Sequence, residues 1–153
     1  MKSKSTGDLE NVLIHTHPDQ FNKFVDDNSD ELVSLDKAFS LYIHDIITVK
    51  GLHQQDIFIN ADIPERYGYK LLSEQKKTRK RDVILRICYA CNMTVEETNR
   101  ALKLYGMSPL YPRNTRDALI IIFFNEHTGC IIDLSELLIA HGFDPLMTCG
   151  SNE

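Results

Sequence analysis

Apolar residues recur along the middle of the chain with a helical period. Phe39, Ile43, Ile46 and Ile47 stand at i, i+4, i+7 and i+8, the spacing of one buried helix stripe, and Gly51 follows as a stop signal. A helix is predicted over residues 36–50. After Leu52, the segment "HQQDIFINA" offers Ile57 and Ala61 to an interior and runs into Asp62, a residue type that tolerates positive φ. A tight turn is predicted there. Pro64 suits the first turn of the next helix, where a missing N–H costs nothing, and "ERYGYKLL" carries that helix to about Ser73. A polar, basic loop separates it from a second stripe made by Val83, Ile84, Ile87, Cys88 and Cys91. Before residue 36 the pattern is weaker, with amphipathic segments near residues 8–14 and 19–25.

End signals place the remaining elements. "TVEE", residues 94–97, has the form of a capping box and opens a helix that ends near Gly106. "SPLYPRN" is turn chemistry with two prolines, after which Asn114 can cap a helix with Asp117 in its first turn. The run "ALIIIFF", residues 118–124, has strand propensity, but the asparagine cap before it and the lack of a partner strand predict a helix. Asp133 with Glu136 is expected to cap a last helix over residues 134–141, stopped by Gly142. Every element is helical, so the expected class is all-α.

Composition narrows the setting. A chain of 153 residues, 42% apolar and 25% charged, fits one globular domain with a working core. The N-terminal stretch shows no apolar signal core, and the seven-residue apolar run falls far short of the ~20 needed to span a bilayer. A cytoplasmic protein without membrane attachment is expected, with its four cysteines as reduced thiols. The net charge of −5 conceals a gradient: −4 over residues 1–35, +3 over residues 36–92 and −4 over residues 93–153. An anionic partner would meet the basic middle.

The stretch "LHQQDIFINADIPERYGYKLLSEQKK", residues 52–77, resembles the helix-turn-helix of Cro and phage-repressor type regulators, also called the xenobiotic-response-element type. The likeness lies in the leucine ahead of a His-Gln pair, the alanine before the turn, the isoleucine after it and the aliphatic residue late in the second helix. More loosely, the chain to Leu146 is similar to small bacterial regulators sharing a Tyr-Gly-Tyr recognition helix and a "LYPRNTRDALII" extension. The resemblance implies a lambda-repressor-like core over residues 36–106, an acidic arm over 1–35, a C-terminal helical pair over 107–146 and a disordered tail over 147–153. It also implies a repressor-like transcription regulator that binds double-stranded DNA by operator occupancy.

Site residues follow by position from the resemblance. Gln54 would reach a phosphate, while Glu65, Arg66, Tyr69 and Lys70 would lie on or near the groove-facing side of the second helix. Arg66 is the candidate for a guanine contact, and Tyr67 belongs to the core. Gly68 costs about 1 kcal/mol in a helix interior, and its missing side chain would let the backbone approach DNA. Lys76, Lys77, Arg79, Lys80 and Arg81 would hold adjacent phosphates, positioning the protein without reading sequence. Asp62 stands where the family has a turn glycine, and Glu65 puts an acid at the leading end of the recognition helix.

Other chemistry is sparse. No nucleophile, base and orienting acid group together, so no enzyme and no cofactor are expected. Cys88 and Cys91 have the spacing of zinc or redox pairs but lie on an apolar stripe, where cysteine usually serves as a small core residue. His15 and His17 alone do not make a metal site. The apolar run at 118–124 covers every side of a helix, which leaves one face for a homodimer through the C-terminal helices. The rival reading is an adaptor that binds protein on the same helical fold, motivated by the acidic flanks and Glu65.

Overall fold

The computed structural model describes residues 4–32 and 37–149, and its contacts separate two compact units, Met1–Ser34 and Leu35–Glu153. All regular structure among the described residues is helical. In the first unit α1 (Thr6–Ile14) begins at Ser5, whose hydroxyl accepts the Asp8 N–H at 3.1 Å while the Asp8 carboxylate accepts the Ser5 N–H at 3.0 Å. The Ser5 hydroxyl, which also donates to that carboxylate at 2.8 Å, and the Ser5 N–H together hold the Asp8 carboxyl below its ordinary pKa. The second amphipathic segment opens as a 3-10 turn, Pro18–Gln20, before α2 (Phe21–Asp27), whose Phe24 is buried.

The second unit holds α3 (Ala38–Val49), α4 (Gln54–Ala61), α5 (Glu65–Leu72), α6 (Arg81–Ala90), α7 (Val95–Leu104), α8 (Thr115–Glu126) and α9 (Ile131–Ala140). The stripe Phe39, Ile43, Ile46 and Ile47 is the buried face of α3, as its period requires; the expected start at Asp36 lies outside the described residues. At the centre is α6, buried from Asp82 through Ala90 and packed against α4, α7 and α9. A helix covered on all sides must be apolar all round or satisfy its polar groups inside. This one does both.

Two helix starts depart from the residue positions the sequence suggests. Pro64 is the N-cap of α5, not part of its first turn, and its carbonyl accepts the Gly68 N–H at 2.9 Å. The last helix begins three residues early, because Asp133 acts at its third position and accepts the Cys130 N–H at 2.8 Å. The capping box at Thr94 and Glu97 forms as expected, with Glu97 also 3.0 Å from the Lys50 ammonium. Asn114 caps α8 by accepting the Asp117 N–H at 3.0 Å, so "ALIIIFF" is helical, with Ile120, Phe123 and Phe124 inward.

The boundary expected between residues 106 and 107 is not one between compact units. The helices that follow it pack on those before it, α8 on α7 and α9 on α6, and Leu146 is buried. Nor does the expected tail begin free at Met147. The Met147 N–H donates to Asp82 at 3.0 Å, its carbonyl accepts from Arg86 Nε at 2.8 Å, and the Thr148 carbonyl accepts from Lys80 Nζ at 3.3 Å. Residues 150–153 lie outside the described residues.

Candidate functional site

The pair α4 and α5 is joined by the turn at Asp62, Ile63 and Pro64. Asp62 takes the left-handed conformation, φ 54° and ψ 51°, and its N–H reaches the Ile59 carbonyl at 3.1 Å. An aspartate there costs more than glycine would but less than a branched residue. Ile63, on the far side of the turn, is buried.

α5 is divided into two faces by its own period. Gly68, Leu71 and Leu72 point inward, whereas Arg66, Tyr69, Lys70 and Ser73 repeat at i, i+3, i+4 and i+7 on the outside, with Glu65 beside them at the first turn. All of these but Ser73 are residues singled out from the sequence. Tyr69 is 44% exposed and lies edge-on to Phe58 of α4, with ring centroids 4.9 Å apart. Gln54 is half-buried at the first position of α4.

The role expected for Gly68 is overturned. A side chain there would face the interior, since an added Cβ would stand 2.3 Å from the nearest carbon of the Phe58 ring. The glycine lets α4 seat Phe58 against α5. No backbone approach to an outside ligand follows from it.

The basic segment after α5 does not act as one patch. Arg81 turns inward and forms a bidentate pair with the buried Asp117 of α8, one arm at 3.0 Å, and it also donates to the Pro109 carbonyl at 3.4 Å. A phosphate would have to compete with Asp117 for this guanidinium. Lys80 is half-buried with its ammonium on the Thr148 carbonyl. Lys76 lies over the Tyr67 ring, 5.2 Å from the centroid, which pins both residues at the edge of the core. Lys77 and Arg79 are exposed. Between them Thr78 is buried and donates its N–H to the Tyr105 hydroxyl at 2.8 Å, fixing the loop to the end of α7.

The Arg81–Asp117 pair has a counterpart. Asp82 accepts from both arms of Arg116, at 3.2 and 3.0 Å, so the Arg-Asp dipeptides that open α6 and α8 pair crosswise. Arg86, also buried, donates to the carbonyls of Ala61, Leu146 and Met147 at 3.2, 2.9 and 2.8 Å, and burial draws its pKa down. It ties the last residue of α4 to the C-terminal strap. The sequence signal for this network was the repeated Arg-Asp at residues 81–82 and 116–117, each at a helix start.

Cys88 and Cys91 are both fully buried. Burial pushes the Cys88 thiol well up and the Cys91 thiol to about 12, so neither is a thiolate at neutral pH. His17 sits on its own turn, 3.2 Å from Asp19. No helix among the described residues is long and apolar enough to cross a membrane. Comparison with protein-family models, with curated proteins and with solved structures gave no significant match.

Proposed function

We propose that the protein is a sequence-specific double-stranded DNA-binding regulator that acts by occupying an operator, with α5 as its reading helix. The observation that carries this reading is the outward stripe of Arg66, Tyr69 and Lys70, held rigid from behind by Phe58, Leu71 and Leu72. An α-helix fits the major groove, where Arg66 can address guanine, and a first-turn Glu65 can accept from a cytosine amino group. Lys77 and Arg79, exposed on the loop after α5, supply phosphate contacts beside it. With Arg81 spent internally the electrostatic footprint is smaller than the raw charge suggests. About three phosphate contacts correspond to a slope of roughly −3 in log K against log salt, at about −0.9 per contact.

The test is selection of a binding site from random duplexes, followed by titration of the selected duplex at several salt concentrations. Arg66→Ala is expected to cost about 1–3 kcal/mol on the selected site and to relax preference at one base pair. Reversing Lys77 and Arg79 should weaken all duplexes alike and flatten the salt slope. Failure to enrich any duplex, with binding indifferent to Arg66, would favour the adaptor reading, which the exposed acid Glu65 and the internal use of Arg81 also support.

A further inference from the structure

A second surface of α4 carries the opposite charge from the outward face of α5. A cleft of about 580 Å³ lies between the C-terminal half of α4 and the link from α8 to α9, and it continues into a second hollow of about 290 Å³ toward the start of α4. Ile59 and Asn60 line both. Two large aliphatic side chains stand open to solvent in the cleft, Ile59 at 70% and Ile132 at 55%. Isolated exposed apolar residues are ordinary, but two that face one hollow form a docking floor.

The charge of the lining is one-sided. Asp56, Asp62 and Asp133 contribute carboxylates, and no lysine or arginine is among the lining residues of either hollow. Hydrogen bonding to the Cys130 N–H holds Asp133 ionised. The nearby cations are engaged behind the wall: Lys50 on Glu97 and the Asn92 carbonyl, and Arg86 on three backbone carbonyls. His127, which also lines the cleft, is stacked on Tyr89 with its Nε2 2.8 Å from Asn92. The wall is therefore set in place before any partner arrives.

We propose that this groove docks a cationic amphipathic helix of a partner protein, with two apolar side chains on Ile59 and Ile132 and lysine or arginine against the three aspartates. Helix-in-groove recognition uses anchors at i, i+3, i+4 and i+7, and like-signed rims steer the choice of partner. The proposal is independent of whether α5 meets DNA, because it uses the other side of α4.

The probe is a fluorescent synthetic helix with leucine on one face and lysine on the other, and its matched peptide in which glutamate replaces every lysine. Both are titrated against the full chain, and amide shifts in a protein NMR spectrum report the location. The lysine peptide should shift amides of α4 and α9 and bind more weakly as salt rises. Ile59→Ser and Ile132→Ser, both at exposed positions, should each weaken it about tenfold, as expected for central anchors. Asp56→Asn with Asp133→Asn, which keeps an acceptor at the α9 cap, should weaken it and reduce the salt dependence. Equal affinity for the glutamate peptide, shifts confined to the acidic first unit, or indifference to both isoleucine changes would overturn the proposal. So would self-association in sedimentation that disappears with Ile132→Ser, since the groove would then belong to a second copy.

Discussion

Gly68→Ala separates two accounts of the same glycine. If Gly68 merely interrupts a solvated helix, alanine should stabilise the protein by about 1 kcal/mol through helix propensity. The structure gives the opposite sign. The new methyl would stand 2.3, 2.5 and 2.7 Å from three carbons of the Phe58 ring, and that ring is itself almost fully buried and edge-packed on Tyr69. Overpacking of this kind costs roughly 1–3 kcal/mol, and displacing the ring endangers an aromatic pair of about 0.5–1.5 kcal/mol. Set against the propensity gain, the net expectation is a loss of about 1–2 kcal/mol. Urea unfolding followed by circular dichroism should show a lower midpoint at unchanged slope. In a Phe58→Ala background the three clashing ring carbons are gone and the methyl has room, so the same change should be neutral or stabilising, a coupling of roughly 1–2 kcal/mol. Stabilisation by alanine in both backgrounds would refute the packing of α4 on α5 described above.

Other perturbations probe the network and the thiols. Arg81→Ala leaves Asp117 buried without its partner and should cost about 3 kcal/mol in urea unfolding, whereas Lys77→Ala should stay within about 0.5 kcal/mol. Equal effects would mean that Arg81 is not engaged internally. A thiol reagent at neutral pH should label the exposed Cys130 readily and reach Cys88 and Cys91 only as the domain unfolds. Labelling of all at one rate would contradict their burial. The two buried thiols are raised in the folded state, so their contribution is present below the ordinary value of 9.0 and lost as pH rises from there through the folded values, about 12 for Cys91. Glu97 behaves oppositely: bonds to the Thr94 N–H and Lys50 depress its carboxyl, so its contribution is present above 4.5 and lost as pH falls through the folded value. The stability difference between wild type and Glu97→Gln should therefore shrink on acidification below that point; a difference constant with pH would reject the Thr94 and Lys50 contacts.

What could be read from the sequence was whatever depends on near neighbours along the chain. The stripe of α3, the left-handed Asp62, the Thr94–Glu97 box and the Asn114 cap each involve residues within two helical turns, so period and side-chain type suffice to place them. The outward stripe of α5 was equally legible, because a helix of eight residues has few ways to divide apolar from polar.

Decisions between distant residues belonged to the tertiary structure alone. Whether Arg81 meets solvent or Asp117 depends on the first turn of α8 coming beside the first turn of α6, a contact 36 residues apart in the chain that no local pattern encodes. Gly68 reads as a helix weakness until Phe58 is seen filling the space where its side chain would be. The strap at residues 146–148 is short and carries no charge to attract a cation, yet the buried Arg86 holds two of its carbonyls because a cation sealed in a core must find acceptors wherever the backbone brings them. Sequence thus determined which helices form and which faces they bury, since those energies are local and periodic. Packing determined which charges remain on the surface to meet a partner, since ion pairing and close approach are settled only when separate helices come together.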